Sequence, residues 1–351
     1  MKVNDTIEAM RDQWKSMTSM AGMFIMTIIL SITIQPIYDV DIARAFGAEG
    51  ATQTRYILLE LVMIGIFTFV IIWLARKNFE KLIKGFIMFA LYFSLNYVVW
   101  PYTALIMELT IGNYANAMIY ASIISLMLMV TLWKYPEWYI VNLVGVLVGA
   151  GVIVAIGISF IPTSIVIFMI IAAIYDHWAV NGSKHMLELA ETMIDLKLPI
   201  LLVAPKEKGY TFLEEKGDFM EEKVITPSRE DWEDPQINST IAPKGGRDAL
   251  FMGLGDVIFP GMLVISALSF LPESGHEITY AFGSIYTYPL FVSMGVLFGG
   301  LIGYLGLMAQ VAKGKPQAGL PLLNGGAILG YFISGIIVYG SIDVILQIPL
   351  F

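Results

Sequence analysis

Nine apolar runs fill most of the sequence, and they restrict the chain to very few folds. The hydrocarbon core of a bilayer is roughly 30 Å thick, so a helix that crosses it needs about 20 apolar residues. The runs cover residues 19–38, 56–75, 83–104, 117–133, 138–161, 163–181, 249–271, 285–309 and 319–340. Apolar residues make up 57% of the chain and charged residues only 14%, as in membrane proteins. We therefore predict an all-α polytopic membrane protein with nine transmembrane helices.

The positions of lysine and arginine predict how the spans are oriented. Of the 21 basic residues, only Arg44 and Arg55 fall on one side of a nine-span arrangement, and the others fall on the opposite side. Since short loops rich in Lys and Arg stay in the cytoplasm, we expect a cytoplasmic N-terminus and an external C-terminus. The expected location is the cell membrane, with multiple passes.

A long polar segment divides the chain into three parts. They are spans one to six in residues 1–182, a cytoplasmic segment in 183–247, and spans seven to nine in 248–351. Within the polar segment, residues 184–197 carry apolar side chains at helical spacing and predict an amphipathic helix. Residues 199–205 are β-prone and bounded by prolines, and 206–246 are expected to form a mobile loop.

Two aspartates lie inside predicted spans, where an ionisable side chain is costly and commonly functional. Asp176 lies about five residues from the cytoplasmic end of the sixth span, and Asp256 about seven residues from that end of the seventh. At 1.5 Å per residue, the two lie at depths of roughly 8 and 10 Å. Gly253 is expected one helical turn before Asp256, where a small residue would let a neighbouring helix approach. We therefore expect the two carboxylates to share a site.

Two carboxylates at one site have a specific chemistry. They cannot both ionise at close range, so one keeps a proton while the other is charged. The charged group can act as a general base on a water molecule, and the protonated group can donate to a peptide carbonyl. This mechanism needs no metal, no cofactor and no covalent intermediate. The same placement also fits a polar pair used in helix packing or proton transport.

Composition argues against several other classes of protein. The chain has no cysteine, so neither a disulfide framework nor thiolate chemistry is available. Its three histidines show no His-Glu-x-x-His pattern, which argues against an intramembrane zinc protease. The net charge of −8 gives no indication of a nucleic-acid partner.

Three motifs resemble those of the presenilin family of intramembrane aspartyl proteases, specifically its microbial, archaeal-type members. Tyr175-Asp176 is similar to the family's Tyr-Asp motif in the sixth span. Gly253-Leu254-Gly255-Asp256 is similar to its Gly-x-Gly-Asp motif in the seventh. Pro321-Leu322-Leu323, at the start of the ninth span, stands in the place of its Pro-Ala-Leu motif.

The resemblance implies a function. It makes Asp176 and Asp256 the catalytic pair of an endopeptidase that cleaves transmembrane segments of membrane proteins within the bilayer. It also implies a substrate-binding role for residues 321–323, although Leu322 replaces the family's alanine. No cofactor is implied, and no companion subunit is evident from the sequence.

Three alternatives compete with this interpretation. Signal peptide peptidases share both aspartate motifs but have the opposite orientation, which the Lys and Arg distribution disfavours. Prepilin-type peptidases carry a Gly-x-Gly-Asp sequence but lack the nine-span plan. A channel or transporter with an aspartate proton relay would show an inverted repeat with broken helices, and none is visible in the sequence.

A helical substrate must unwind before it is cleaved, and unwinding leaves backbone groups that need partners. We expect the unwound stretch to be added as a β-strand to residues 199–205, to the approach to the ninth span at 316–323, or to both. We also expect residues 199–205 to become ordered mainly when substrate binds.

Overall fold

A computed structural model describes the greater part of the chain. The described residues are 11, 13–45, 59, 62–63, 66, 70, 79–178, 199, 201–206, 209–213, 249–311 and 318–346. Most of the predicted second span, the amphipathic helix at 184–197 and most of the 206–246 loop therefore fall outside the description.

Helices make up most of the described structure. They are α1 (Trp14–Tyr38), a 3₁₀ turn (Asp41–Ala43), α2 (Glu80–Ile111), α3 (Ala117–Lys134), α4 (Trp138–Gly157), α5 (Pro162–Trp178), α6 (Leu254–Phe270), α7 (Thr287–Val311), α8 (Leu320–Tyr339) and α9 (Ile342–Ile345). Six of these helices, α1–α4, α7 and α8, are long and apolar enough to cross a membrane. The helices α5 and α6 are apolar but shorter, at 17 residues each. The chain is thus a mostly helical protein with several membrane spans.

Two small antiparallel sheets correct the prediction of an all-α fold. Strand β1 (Leu201–Pro205) pairs with β2 (Ala249–Gly253), and β3 (Glu277–Tyr280) pairs with β4 (Gly283–Tyr286) in the loop that follows α6. The predicted seventh span was therefore wrong at its start, since helix α6 begins only at Leu254. An apolar run shows no periodicity that separates a buried strand from a buried helix, so the two were read as one span.

The β1–β2 sheet also corrects the expectation about residues 199–205. Leu201 pairs with Gly253, and the register continues to Pro205 opposite Ala249. Because β2 already supplies the hydrogen-bonding partner, β1 does not need substrate in order to form a strand.

Close contact between α7 and α8 fixes the start of α8. Five glycines line the contact: Gly295, Gly299, Gly303, Gly326 and Gly330. A Cβ built on any of them would overlap an atom of the facing helix. Small residues at four-residue spacing let two membrane helices approach until their backbones touch. This contact holds the first turn of α8 beside α5 and α6.

The loop between α6 and α7 contacts α1 near a proline in that helix. Pro36 has no N–H, so the carbonyl of Ile32 has no helical donor. The hydroxyl of Tyr280 in β3 donates to that carbonyl at 3.2 Å and to the adjacent Thr33 carbonyl at 3.1 Å. Burial, with a smaller effect of Tyr102, raises the pKa of Tyr280 to about 12, so the hydroxyl keeps its proton as a donor. The β3–β4 hairpin is thereby held against α1.

Candidate active site

Asp256 lies in the first turn of α6, immediately after β2. Gly253 is the N-cap of this helix and has extended backbone angles, φ −61° and ψ 137°. The Asp256 carboxylate turns back and accepts a hydrogen bond from the Gly253 N–H. This is one half of a capping box, in which the third residue of a helix bonds the cap's amide. The prediction that Gly253 shares a helix face with Asp256 was wrong, because Gly253 precedes the helix.

The other two residues of the motif occupy different surroundings. Leu254 is buried, and a Cβ built on Gly149 of α4 would lie 3.1 Å from its Cδ1. Gly255 is exposed, and a Cβ built on it meets no atom within 4 Å. Leu254 therefore anchors the start of α6 against α4, whereas a side chain at Gly255 would face open space.

Asp176 lies two residues before the end of α5 and is only 5% exposed. Its Oδ2 accepts a hydrogen bond from the Leu320 N–H at 3.1 Å, and the Gly319 N–H also donates to its carboxylate. The first N–H groups of a helix have no partner within it, and they carry the positive end of the helix dipole. Asp176 thus caps α8 from a different helix.

The two carboxylates meet at Gly319. Its N–H bonds Asp176, and a Cβ built on its Cα would lie 2.9–3.1 Å from the Asp256 carboxyl atoms. The carboxylates also interact electrostatically with each other. Among the described residues, no group of three His, Cys, Asp or Glu side chains is placed to hold a metal ion. The site is therefore two acidic groups on separate helices, with a residue without a side chain packed against both.

The third predicted motif starts α8. Pro321 lies in its first turn, where the missing N–H costs no helical hydrogen bond. Leu323 is fully buried and its N–H donates to the Gly319 carbonyl at 3.2 Å, while Leu322 is partly buried. Within this segment, the residues that touch the carboxylates are Gly319 and Leu320, just before this motif. Residues 321–323 therefore form the helical turn that holds these two in place.

Tyr175 is placed differently from its neighbour Asp176. Its side chain is 59% exposed, and its ring lies 6.1 Å from that of Trp178. In the described structure, this contact is along the outer surface of α5 and does not involve the carboxylates.

A buried asparagine in α4 supports the sheet that leads to Asp256. Asn142 is 7% exposed; its Nδ2 donates to the Val203 carbonyl at 2.7 Å, and its Oδ1 accepts from the Val203 N–H at 2.8 Å.

Three residues of the site, Asn142, Gly319 and Leu320, are not among the site residues predicted from the sequence. An asparagine within an apolar span was the available signal for the first. The other two act through the backbone and gave no side-chain signal.

Comparison with known proteins places this arrangement in a recognised group. A family model described as "Signal-peptide peptidase, presenilin aspartyl protease" matches residues 20–340. Two similar solved structures are described as a presenilin family intramembrane aspartate protease, in C222 and P2 crystal forms. Both are 26% identical in sequence to this chain. The match to the first covers 92% of this chain and 99% of the solved chain, with a TM-score of 0.59. The match to the second covers 91% of this chain and 97% of the solved chain, with a TM-score of 0.56. Comparison with curated protein sequences gives no match.

Proposed function

Because the chain belongs to the signal-peptide peptidase and presenilin family of aspartyl proteases, we propose that Asp176 and Asp256 are its catalytic pair. The chain is an intramembrane aspartyl protease, and its substrates are membrane proteins in a bilayer. One observation carries the assignment of the two residues: carboxylates from α5 and α6 converge on the single residue Gly319. Family membership also sets aside the prepilin-type, channel and transporter alternatives.

The geometry supports a general acid and base mechanism. The pair shares one proton; its charged member removes a proton from the attacking water while its protonated member donates to the scissile carbonyl. The N–H groups of Gly319 and Leu320 fix Asp176, and the Gly253 N–H fixes Asp256. Catalytic groups held by such hydrogen bonds need little reorganisation during the reaction. The open space at Gly255 is where a substrate backbone can approach Asp256.

The sheet supplies a docking edge for an unwound substrate, and that edge belongs to β2. The Val203 N–H bonds Asn142, so Val203 and Phe251 are a pair that exchanges no hydrogen bonds. The backbone N–H and C=O groups of Phe251 then point away from β1, as does the Gly253 N–H that bonds Asp256. The Asp256 carboxylate therefore lies along the outer edge of β2. A strand added there would lie about 4.8 Å from β2 and pass beside the catalytic group.

This edge replaces the two docking sites expected from the sequence. The outer edge of β1 is occupied, because Asn142 takes both backbone groups of Val203. The described part of the 316–323 segment offers no strand, since α8 begins at Leu320 and the N–H groups of Gly319 and Leu320 bond Asp176.

Incubating the detergent-purified chain with a peptide of one membrane span tests the function directly. We expect two products whose masses locate a cleavage site inside the span. An uncleaved peptide, under conditions where the enzyme is folded, would contradict the proposal.

We infer a nine-span arrangement in the cell membrane with a cytoplasmic N-terminus, and with residues 183–247 as the cytoplasmic part between spans six and seven. The positive-inside rule supports this orientation, which is that of the presenilin branch. Cysteines introduced at Ser228 and Ser274 of this cysteine-free chain should then react with a membrane-impermeant reagent from opposite sides. Labelling of both from the same side would show that the span count is wrong.

The rate of cleavage should depend on pH as expected for a coupled pair. Because the two carboxylates interact electrostatically, they titrate as a pair in two macroscopic steps. The pair gains a second proton as the pH falls and loses its one proton as the pH rises. A plot of kcat/KM against pH should therefore be bell-shaped, with two apparent pKa values that belong to the pair. A rate that climbs steadily into strong alkali would argue for attack by hydroxide without a shared proton.

A further inference from the structure

Asn142 makes the hydrogen bonds that a third strand beside β1 would make. A strand beside β1 would accept from one backbone N–H and donate to the C=O of the same residue. The side-chain amide of Asn142 does both for Val203, at 2.8 and 2.7 Å. A buried amide in a membrane helix is costly unless its polar atoms are paired, and here both are. The pairing accounts for a polar residue in a helix that is otherwise apolar.

A second contact closes the same edge two residue pairs further along. Pro205 has no N–H to offer, and its carbonyl accepts a hydrogen bond from the Ser16 hydroxyl of α1 at 2.6 Å. The outer edge of β1 is therefore bonded to α4 at Val203 and to α1 at Pro205. In contrast, no hydrogen bond to the outward backbone groups of Phe251 is present among the described residues.

We propose that Asn142 is a positioning residue for the cleavage of helical substrates. By closing the outer edge of β1 it keeps β1 and β2 paired before substrate arrives, and it leaves the edge of β2 as the one to which unwound substrate is added. This inference rests on the proposed proteolytic function. It predicts a selective defect. Without Asn142, β1 is less firmly held against β2, and unwound substrate can pair with the outer edge of β1 instead of the outer edge of β2. The two carboxylates remain intact.

The kinetic test compares two substrates that share one cleavage sequence. One is a peptide of a full membrane span, and the other is a short peptide that is already extended. For Asn142→Leu, kcat/KM on the full span should fall by about tenfold or more, since two buried hydrogen bonds are lost, while the extended peptide loses less than about threefold. The fall should lie mainly in the step that binds and unwinds substrate, so KM should rise more than kcat falls.

Two further variants keep this test decisive. Asn142→Asp has nearly the same shape and keeps an acceptor for the Val203 N–H but loses the donor to its carbonyl, so it should show the same selectivity to a smaller extent. Asn96→Leu is the matched control, because Asn96 is a buried amide that bonds Ser122 between α2 and α3, away from the sheet. The control should leave the ratio between the two substrates unchanged. An equal loss on both substrates with either Asn142 variant, or no loss on either, would overturn the proposal.

Disulfide cross-linking identifies the strand edge to which the substrate is added. A single cysteine in the cleavable region of the substrate should cross-link to Phe251→Cys but not to Leu201→Cys in the otherwise unchanged protein. Adding Asn142→Leu should create the cross-link to position 201, because Val203 is then free to pair. Equal cross-linking at 201 with Asn142 present would show that the edge of β1 is open and that the proposal is wrong. Failure of the proteolytic function is distinguishable, since it would abolish cleavage of the extended peptide by the unmodified enzyme.

Discussion

Replacing Asp176 or Asp256 by alanine is expected to abolish proteolysis and to leave a folded protein. Each carboxylate is needed, because the reaction requires a base for the water and an acid for the peptide carbonyl at the same time. Loss of one such group costs about 10²–10⁴-fold in rate, so each variant should fall to or below the limit of detection. The measurement is the initial rate of cleavage of both a full-span and an extended peptide.

The aspartates also have structural roles, so the experiment needs a matched pair of variants. Asp176→Ala removes the acceptor for the Leu320 N–H, whereas Asp176→Asn keeps an oxygen at that position. We expect the asparagine variant to retain more of the thermal stability and to be equally inactive. Substantial cleavage by purified Asp176→Ala or Asp256→Ala would refute the catalytic assignment. Inactivity of the alanine variant with full activity of Asp176→Asn would instead make the residue a cap of α8 alone.

The helices were the part of the fold most accessible from the sequence. The ninth span was predicted at 319–340, and the helix extends from Leu320 to Tyr339. Its ends are marked locally: Pro321 favours a helix start, and Gly340 adopts the left-handed backbone, φ 68°, that ends helices. Apolar length and such terminal residues are local properties, so they can be read without knowing what the helix contacts.

The strands were less accessible, because their cause is not local. Residues 249–253 are apolar and continue directly into an apolar helix, so composition does not mark the change. They form a strand because residues 201–205 pair with them from the far side of the polar segment. Only the β-prone composition and the flanking prolines of residues 199–205 indicate that one half of this pair is extended.

The active site, like the fold, has parts that the sequence predicts and parts that it does not. Asp176 and Asp256 are conspicuous in a sequence, because charge within an apolar span is costly. The N–H groups of Gly319 and Leu320 are not, since every residue except proline carries one. What makes these two special is the placement of the first turn of α8 by its contact with α7, and the glycine spacing that allows this contact does not indicate which N–H groups will face the acids. The sequence therefore predicts the acids of the site better than the groups that orient them.

Gly319→Ala should inactivate the enzyme although the substitution adds one methyl group. The backbone at Gly319, φ −79° and ψ −44°, is one that alanine adopts without strain, so conformation is not the obstacle. The obstacle is space: the new Cβ would lie 2.9 Å from Oδ2 and 3.0 Å from Oδ1 of Asp256. The carboxylate must move away from Asp176, and a displacement of about 1 Å in a catalytic group can cost roughly 100-fold in rate.

Gly325→Ala is the matched control for this steric effect. It lies on the same helix, and a Cβ built there meets no atom within 4 Å. Alanine should there raise helix stability slightly, by up to about 1 kcal/mol, and leave the rate of cleavage unchanged. The two variants together separate the cost of a methyl group in α8 from its cost against the carboxylate. If Gly319→Ala cleaves as fast as the unmodified enzyme, Gly319 does not pack against a functional Asp256, and the convergence that supports the catalytic pair is lost. A rate that falls at position 319 alone, with thermal stability preserved, would instead show that the catalytic geometry depends on the absence of a side chain between the two acids.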